Sequence, residues 1–583
     1  MRQASSLHSS LQALLCVVFI AGLALRNTQT AYAATYTVNS LADPGDGTCD
    51  ASCTLRDAII AANAHATADT IQFSLSGTIT LASVLPGVPV SDVLTIDGAG
   101  RAIHINGNEH DRILWTNTNS KLTLKHLIIE DGYTLVSGGG IYSLGYLTID
   151  DCTLAHNRAD DHGGAIYSNG TLTVTNSILS NNSTDIGNGG AIYVYTSTVA
   201  TIIDSEFQNN YSNDSGGAIY NNSDLTIKDT NFSLNTAGFG NGGAVYSKIS
   251  IGLGDVTIDR SSFSENMANY GGGYYNYSGG FVFRNTSFTS NQARIDGGGM
   301  GLLHDHPTSY ILDSSFKSNT ALSNGGGFAN YYGVNYLFDG VLFQNNHADQ
   351  DGGAIYNSTG HAYLHHTTFK SNSAGRDGGG LYNLEHLSIH HSSFSGNQAD
   401  QNGGAVYHGS GAIGSGIDNS TFYKNIADRG GGIYSLDVLN VLNCTLSANN
   451  AETTGGAVYG DLDTFFTNSI LANSPNGGNC DNEGNKPVDS GNNIDSAATC
   501  GWGTTHGSMN NTNPMLGTLQ LNGGTTNTMA LRAGSPAIDA VVWNAPNSCP
   551  GDDQRGYLRP FGTHCDIGAF ERYFRLFMPL VRK

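Results

Sequence analysis

Polar and apolar positions in this chain recur in columns. Between Gly139 and Tyr459 the word Gly163-Gly164-Ala165-Ile166-Tyr167 returns thirteen times, its last slot falling at 142, 167, 193, 220, 246, 275, 301, 329, 356, 382, 407, 434 and 459. The period is 25–29 residues, which signals stacked supersecondary units. A second word lies between the Gly words, clearest as Val256-Thr-Ile258-Asp-Arg-Ser-Ser-Phe263-Ser-Glu-Asn266-Met-Ala268. With the Phe263 slot as origin, the slot five residues earlier is apolar in every copy, from Ile149 and Val174 to Ile417 and Val441. The origin is Phe in nine copies and Leu at Leu154, Leu179 and Leu446; three residues on it is always Asn, from Asn157 to Asn449.

Column-by-column identity is what a parallel β-helix needs, because each residue stacks on its counterpart about 4.8 Å away in the next coil. The apolar columns predict a dry core and the Asn column a ladder of side-chain amides. Three residues before the origin stand Asp151, Asn176, Asp204, Asp229, Arg260, Asn285, Asp313, Gly340, His366, His391, Asn419 and Asn443. Arg260 apart, these types tolerate a left-handed backbone, so the slot reads as a turn. The expected fold is all-β: a single-stranded right-handed parallel β-helix of about seventeen coils and roughly 80 Å. Its hand follows from the general preference of parallel crossovers.

Around this array the composition changes. Residues 1–33 read as a signal peptide, with Arg2, an apolar run from Leu11 to Leu25, and Ala31-Tyr32-Ala33 as a cleavage word. Its removal takes away two arginines and no acid, leaving 24 basic against 48 acidic side chains, a surface ill-suited to nucleic acid. Residues 34–70 carry Cys49 and Cys53, then Leu55, Ala58, Ile59 and Ala62 at helical spacing behind Thr54, which predicts a helical cap over the open first coil. Residues 71–132 are irregular leading coils, 133–475 the regular repeats, 476–571 a C-terminal domain rich in Pro and Cys, and 572–583 an apolar then basic stretch, too short to span a bilayer, that reads as a sorting tail or equally as a frayed or docked terminus. In an exported chain, proximity suggests disulfides Cys49–Cys53, Cys480–Cys500 and Cys549–Cys565. Cys152 and Cys444 share one column eleven coils apart, too far to bond, and are expected as free, buried thiols.

Three resemblances rest on these words. Cys53-Thr54-Leu55-Arg56-Asp57-Ala58 resembles the N-terminal module of exported bacterial β-helix proteins named for its Cys-Ser-Leu-Arg-Glu-Ala word, with two conservative departures. The Gly-Gly-Ala-Ile and Phe-x-x-Asn words resemble the repeats of chlamydial polymorphic membrane proteins, which are surface adhesins and autotransporters. Gly534-Ser-Pro536-Ala-Ile538-Asp539, Asp553-Gln554-Arg555-Gly556 and Cys565-Asp566-Ile567-Gly568-Ala569-Phe570-Glu571 look like a choice-of-anchor Q domain, found on bacterial surface or secreted proteins. These resemblances imply export, a disulfide-containing C-terminal cap and an extracellular or cell-surface location.

Three features could carry chemistry. His361, His365 and His366 return as His386, His390 and His391 one coil later; His365 and His390, in one slot between Asp339 and Asp418, could hold a transition metal or shuttle a proton, with His361 and His386 beside them as further candidates. The plainer reading, which we favour, is a duplicated polar surface residue, with His366 and His391 filling turn slots. Asp349, Asp351, Asp377 and Asp400 crowd the edge before the Gly words, where calcium would relieve their repulsion; Asp-Gly is equally ordinary turn chemistry. Third, if the Ile before it points inward, the Tyr column, including Tyr356, Tyr382, Tyr407 and Tyr434, points outward as an aromatic strip able to stack on sugars. It breaks at Gly301 and Ala329, and the stretch Gly299 to His306 is the clearest interruption of the repeat.

The expected function is adhesion or binding at a polysaccharide or cell surface, without catalysis and without a required cofactor, calcium being the one candidate. Peripheral association with the envelope fits a mature chain with no membrane-spanning segment. A polysaccharide lyase or glycoside hydrolase is the alternative, and a purely structural envelope fibre the second. The paired carboxylates of a glycosidase are not evident in the repeats.

Overall fold

The computed structural model describes residues 33–573 apart from 65–66, 197, 250–254, 304–308, 334, 412–413, 461–463, 482–485, 505, 543–550 and 563. Residues 1–32 of the expected signal peptide, residues 574–583 of the expected tail, and Cys549 with its expected bond to Cys565 lie outside the described residues.

The chain is an all-β parallel β-solenoid of right-handed type and about sixteen turns. One coil shows the plan. Ile166–Ser168, Leu172–Thr175, Ile178–Ser180 and Ser183–Thr184 each pair in parallel with the equivalent strands of the coils before and after. Taken along the shaft they form four ladders, here the first to the fourth, of 14, 18, 18 and 13 strands. Alternation within each strand sends Ile166, Leu172, Val174 and Leu179 inward at 0 % exposure.

The corners explain the repeated words. The first Gly of the Gly word is left-handed (Gly163, φ 63°). The second is needed for space, since a Cβ on Gly164 would lie 2.3 Å from the Gly190 carbonyl oxygen. The turn slot before the third ladder is left-handed in all twelve copies, and Arg260 conforms (φ 46°), its guanidinium held by Asp229. At the next corner the Asn side chains are fully buried; each Nδ2 donates to the Oδ1 of the next coil's Asn, in eleven links of 2.9–3.1 Å from Asn157 to Asn449.

At the N-terminal end, helix α1 (Leu55–Asn63) starts at Thr54 with a reciprocal Thr54–Asp57 capping box. It buries Leu55, Ala58, Ile59 and Ala62 beside the Cys49–Cys53 disulfide. The Cys480–Cys500 disulfide ties the final coils, and Cys152 and Cys444 are free and buried. No described helix is long and apolar enough to cross a membrane.

The C-terminal residues differ from a simple end cap. After the last coil the chain runs back along the flank of the third ladder, with short antiparallel pairs Leu516–Gln520/Thr528–Leu531 and Val541–Val542/His564–Cys565. Gln554 Nε2 donates to the Ser392 carbonyl, and the Gly568 and Ala569 N–H groups donate to Asn468 O and Thr445 Oγ1. Ser393, Thr421, Thr445 and Ile470 are thereby buried, although Ile178 in the same outward slot is 42 % exposed.

The flanking module contains a buried acid. Burial, and then the neighbouring Glu571 carboxylate, push Asp566 up to about 7, while Asp539 and Arg572 donate backbone N–H groups to it. A carboxyl raised on folding keeps its proton where the unfolded chain has lost it, so the contribution of Asp566 to stability is fully present below pH 4 and is lost as pH rises through 7. Urea titrations of the module at pH 4 and pH 7 should show a loss of about 2–4 kcal/mol. A flat profile would refute the assignment.

Candidate functional site

The Tyr column lies where the inward-Ile reading expects it. Ile355, Leu381, Val406 and Ile433 are fully buried; Tyr356, Tyr382 and Tyr407 face outward, partly buried, and Tyr434 in the same column is buried. Their faces, however, are spent on one another. Successive rings from Tyr142 to Tyr275, and again from Tyr356 to Tyr459, stack at 4.6–5.7 Å within 16° of parallel. The expected stacking surface for sugars is thus corrected: the strand spacing that aligns the rings also brings them face to face, and only edges and hydroxyls remain outside. Burial, joined by nearby Asp377, pushes the Tyr407 phenol up to about 12.

The break in this column is filled. The Tyr275 ring leans over Gly301, where a Cβ would meet it at 2.9 Å, and Tyr331 packs against Tyr356 at 5.4 Å. Behind them Asp296 is buried, which raises its carboxyl above the usual range. His304, Asp305 and His306 of the interrupted stretch lie outside the described residues.

The acidic edge divides into two columns. Asp351 and Asp377 are buried and act as rungs: the Asp377 N–H donates to Asp351 Oδ1 at 3.2 Å and the Asn402 N–H to Asp377 Oδ1 at 3.0 Å. Asp351 is also gripped by Arg376, whose Nε lies 2.7 Å from Oδ1. Asp349 and Asp400 sit on the exposed neighbouring loop, Asp349 beside His347 at 3.1 Å. The four acids expected for calcium therefore do not converge, and the charge of one is already met by arginine.

The histidines also regroup. His361 and His386 stack on each other at 4.6 Å; burial, then the His361 charge, lower the imidazole of His386. His390 pairs with Asp418 at 2.7 Å, and that hydrogen bond raises it. The rings of His365 and His390, the expected pair, stand 6.5 Å apart. His365 instead meets His391, with Nε2 and Nδ1 3.2 Å apart, and His366 shares Asp339 with it. Among the described residues, His365, His366 and His391 are the one group of three or more potential ligands whose donor atoms converge, within 4.8 Å. Their left-handed slots (φ 45° and 50° at His366 and His391) are turns as expected, but the turns aim the rings into this cluster.

A surface feature that sequence reasoning missed lies on the second ladder. Thr35, Thr70, Thr95, Thr123, Thr148, Thr173, Thr201, Thr226 and Thr257 stand on nine successive rungs of one outward rank. The rank continues with Val282, Tyr310, Leu337 and Tyr363. Thr35, Thr226 and Tyr310 are exposed, Tyr310 at 40 %, and the rest of the rank is partly exposed. The signal was present in Leu94-Thr-Ile96 and Leu147-Thr-Ile149, one residue before the apolar column used to set the register.

Comparison with curated proteins returns no match. Comparison with protein-family models finds that residues 204–222, 340–358 and 391–409 are each similar to the repeat of the Chlamydia polymorphic membrane protein.

Proposed function

We propose that the protein is an extracellular, surface-associated binding shaft of the adhesin type, which holds polysaccharide along its second ladder and performs no catalysis. The similarity to polymorphic membrane protein repeats supports a surface role. The observation that carries the ligand class is the long outward rank: hydroxyls repeated about every 4.8 Å, running into exposed Tyr310 and part-exposed Tyr363. A glycan chain presents the same two chemistries, hydroxyls for hydrogen bonding and apolar ring faces for aromatic stacking. Unlike the Tyr column, these two rings are separated by Leu337 and leave their faces free of each other.

The mature chain should bind on a glycan array with no requirement for calcium. Replacing Thr148, Thr173 and Thr201 together by alanine removes three hydroxyls worth about 0.5–1.5 kcal/mol each, so affinity should fall about 10- to 2,000-fold. Release of unsaturated products or new reducing ends in the same wells would replace this reading with the lyase or hydrolase. No binding and no turnover would favour the structural fibre.

A further inference from the structure

We propose that His365, His366 and His391 form a three-histidine site for a divalent transition metal of the zinc class, which clasps the flanking C-terminal module to the shaft through Asp552. His365 and His366 come from one coil and His391 from the next. Each ring has one nitrogen turned to a carboxylate. The Nδ1 atoms of His365 and His366 both lie 3.2 Å from Asp339 Oδ1, and His391 Nε2 lies 3.3 Å from Asp552 Oδ1. A neutral imidazole has one N–H and one lone pair. With the N–H groups given to the carboxylates, His365 Nε2 and His391 Nδ1 point lone pairs at each other across 3.2 Å, an arrangement that a metal ion or a proton between them would relieve.

A metal fits that gap. Two nitrogens bound at 2.0–2.1 Å to a tetrahedral zinc stand about 3.3 Å apart. His366 supplies a third ring nitrogen within 4.8 Å, which leaves one position for water. The carboxylates behind the rings fix tautomer and orientation, as outer-shell partners of zinc-bound histidine do. Three imidazoles select zinc, copper or nickel over the oxygen-seeking calcium and magnesium. Asp552 belongs to the flanking module, which holds this coil at two further points: Thr526 Oγ1 donates to the His391 carbonyl at 2.8 Å and Gln554 Nε2 to the Ser392 carbonyl at 3.1 Å. Metal at His391 would therefore fix the ring that Asp552 holds and tighten the docking of the module.

The test is titration of the chelator-treated, tag-free full chain with zinc chloride by calorimetry and with cobalt(II) by visible absorption. One equivalent should bind at micromolar affinity or tighter, with the intense d–d bands of tetrahedral cobalt. His391→Asn keeps a residue suited to the left-handed turn and His365→Gln keeps a polar surface; each should weaken binding at least 100-fold. Asp552→Asn should weaken it about 10-fold and abolish the protection that zinc gives the module against proteolysis. His361→Ala, on the neighbouring ring pair, should change nothing. Unaltered binding in His391→Asn would overturn the site. So would absence of binding in the intact chain, in which case a shared proton is the cation between His365 and His391.

Discussion

Replacement of Asn319 by alanine is expected to destabilise the shaft by about 4 kcal/mol and to split its unfolding into two steps. The Asn319 side chain is fully buried. Its Nδ2 donates to the Phe288 carbonyl at 3.0 Å and to Asn346 Oδ1 at 2.9 Å, and its Oδ1 accepts from both the N–H and Nδ2 of Asn291 at 3.0 Å. Alanine takes a partner from all four groups in a dry corner, at about 1–3 kcal/mol per group left unsatisfied, while Asn346 Oδ1 keeps the Asn319 N–H and Asn291 Nδ2 keeps the Phe263 carbonyl. The same corner holds Ser318 at φ 53°, a left-handed backbone that the ladder has to sustain. Asn319→Asp should do no better, because it keeps the acceptors, loses both donors and sets a carboxylate against the Asn346 oxygen. In a solenoid each coil is stabilised by its neighbours, so one broken rung weakens the coupling between the halves. Thermal unfolding followed by circular dichroism, with hydrogen exchange on either side of the break, measures both effects. A single transition within about 1 kcal/mol of the parent would sink the structural role given to the ladder.

That ladder was legible because Asn is invariant in its column, and the core was legible because its columns are uniformly apolar. The left-handed turn before the third ladder was legible too, since Asp, Asn, Gly and His dominate it. The adjoining left-handed slot, two residues after the origin, was not. It mixes Asn181, Asn209, Asn345 and Gly396 with Leu234, Glu265, Lys424 and Ala448 at φ 54–58°, and these last types carry no turn signal. There the buried Asn ladder one residue later imposes the backbone, and local propensity is overridden by a tertiary hydrogen-bond network. Sequence periodicity therefore finds conformations whose cost a residue type relieves, and misses those held by a neighbour.

The site was less legible for a related reason. Repetition placed His365 and His390 in one slot and suggested them as partners, but the left-handed turn swings the next residue, and it is His391 that reaches His365. Asp552 comes from 161 residues further on, in a module with none of the repeat, so no periodicity could bring it to the cluster. The Tyr strip shows the converse error. Its outward direction followed from alternation, but its use followed from the spacing: rings on adjacent rungs of a parallel ladder stack on each other before they can stack on a ligand.

Phe316→Ala tests how much of the shaft's stability resides in its inner aromatic column, and about 4 kcal/mol should be lost. Nine Phe rings from Phe207 to Phe422 stack at 4.4–5.1 Å on the inner side of the third ladder. Phe316 sits between Phe288 and Phe343 at 4.7 and 4.9 Å, with Phe338 edge-on at 6.2 Å, and has no exposure. Alanine removes a whole ring, and the gap cannot collapse, because the ladders on both sides hold the neighbouring rungs at a fixed spacing. Phe316→Leu should cost only about 1.5 kcal/mol, since Leu154, Leu179 and Leu446 occupy the same column elsewhere. Tyr382→Ala, which deletes an equally stacked ring from the outer face, should cost about half as much as Phe316→Ala, because solvent can enter the space it leaves. If the two alanine variants proved equally stable, ring stacking alone, and not burial, would be what holds successive coils together.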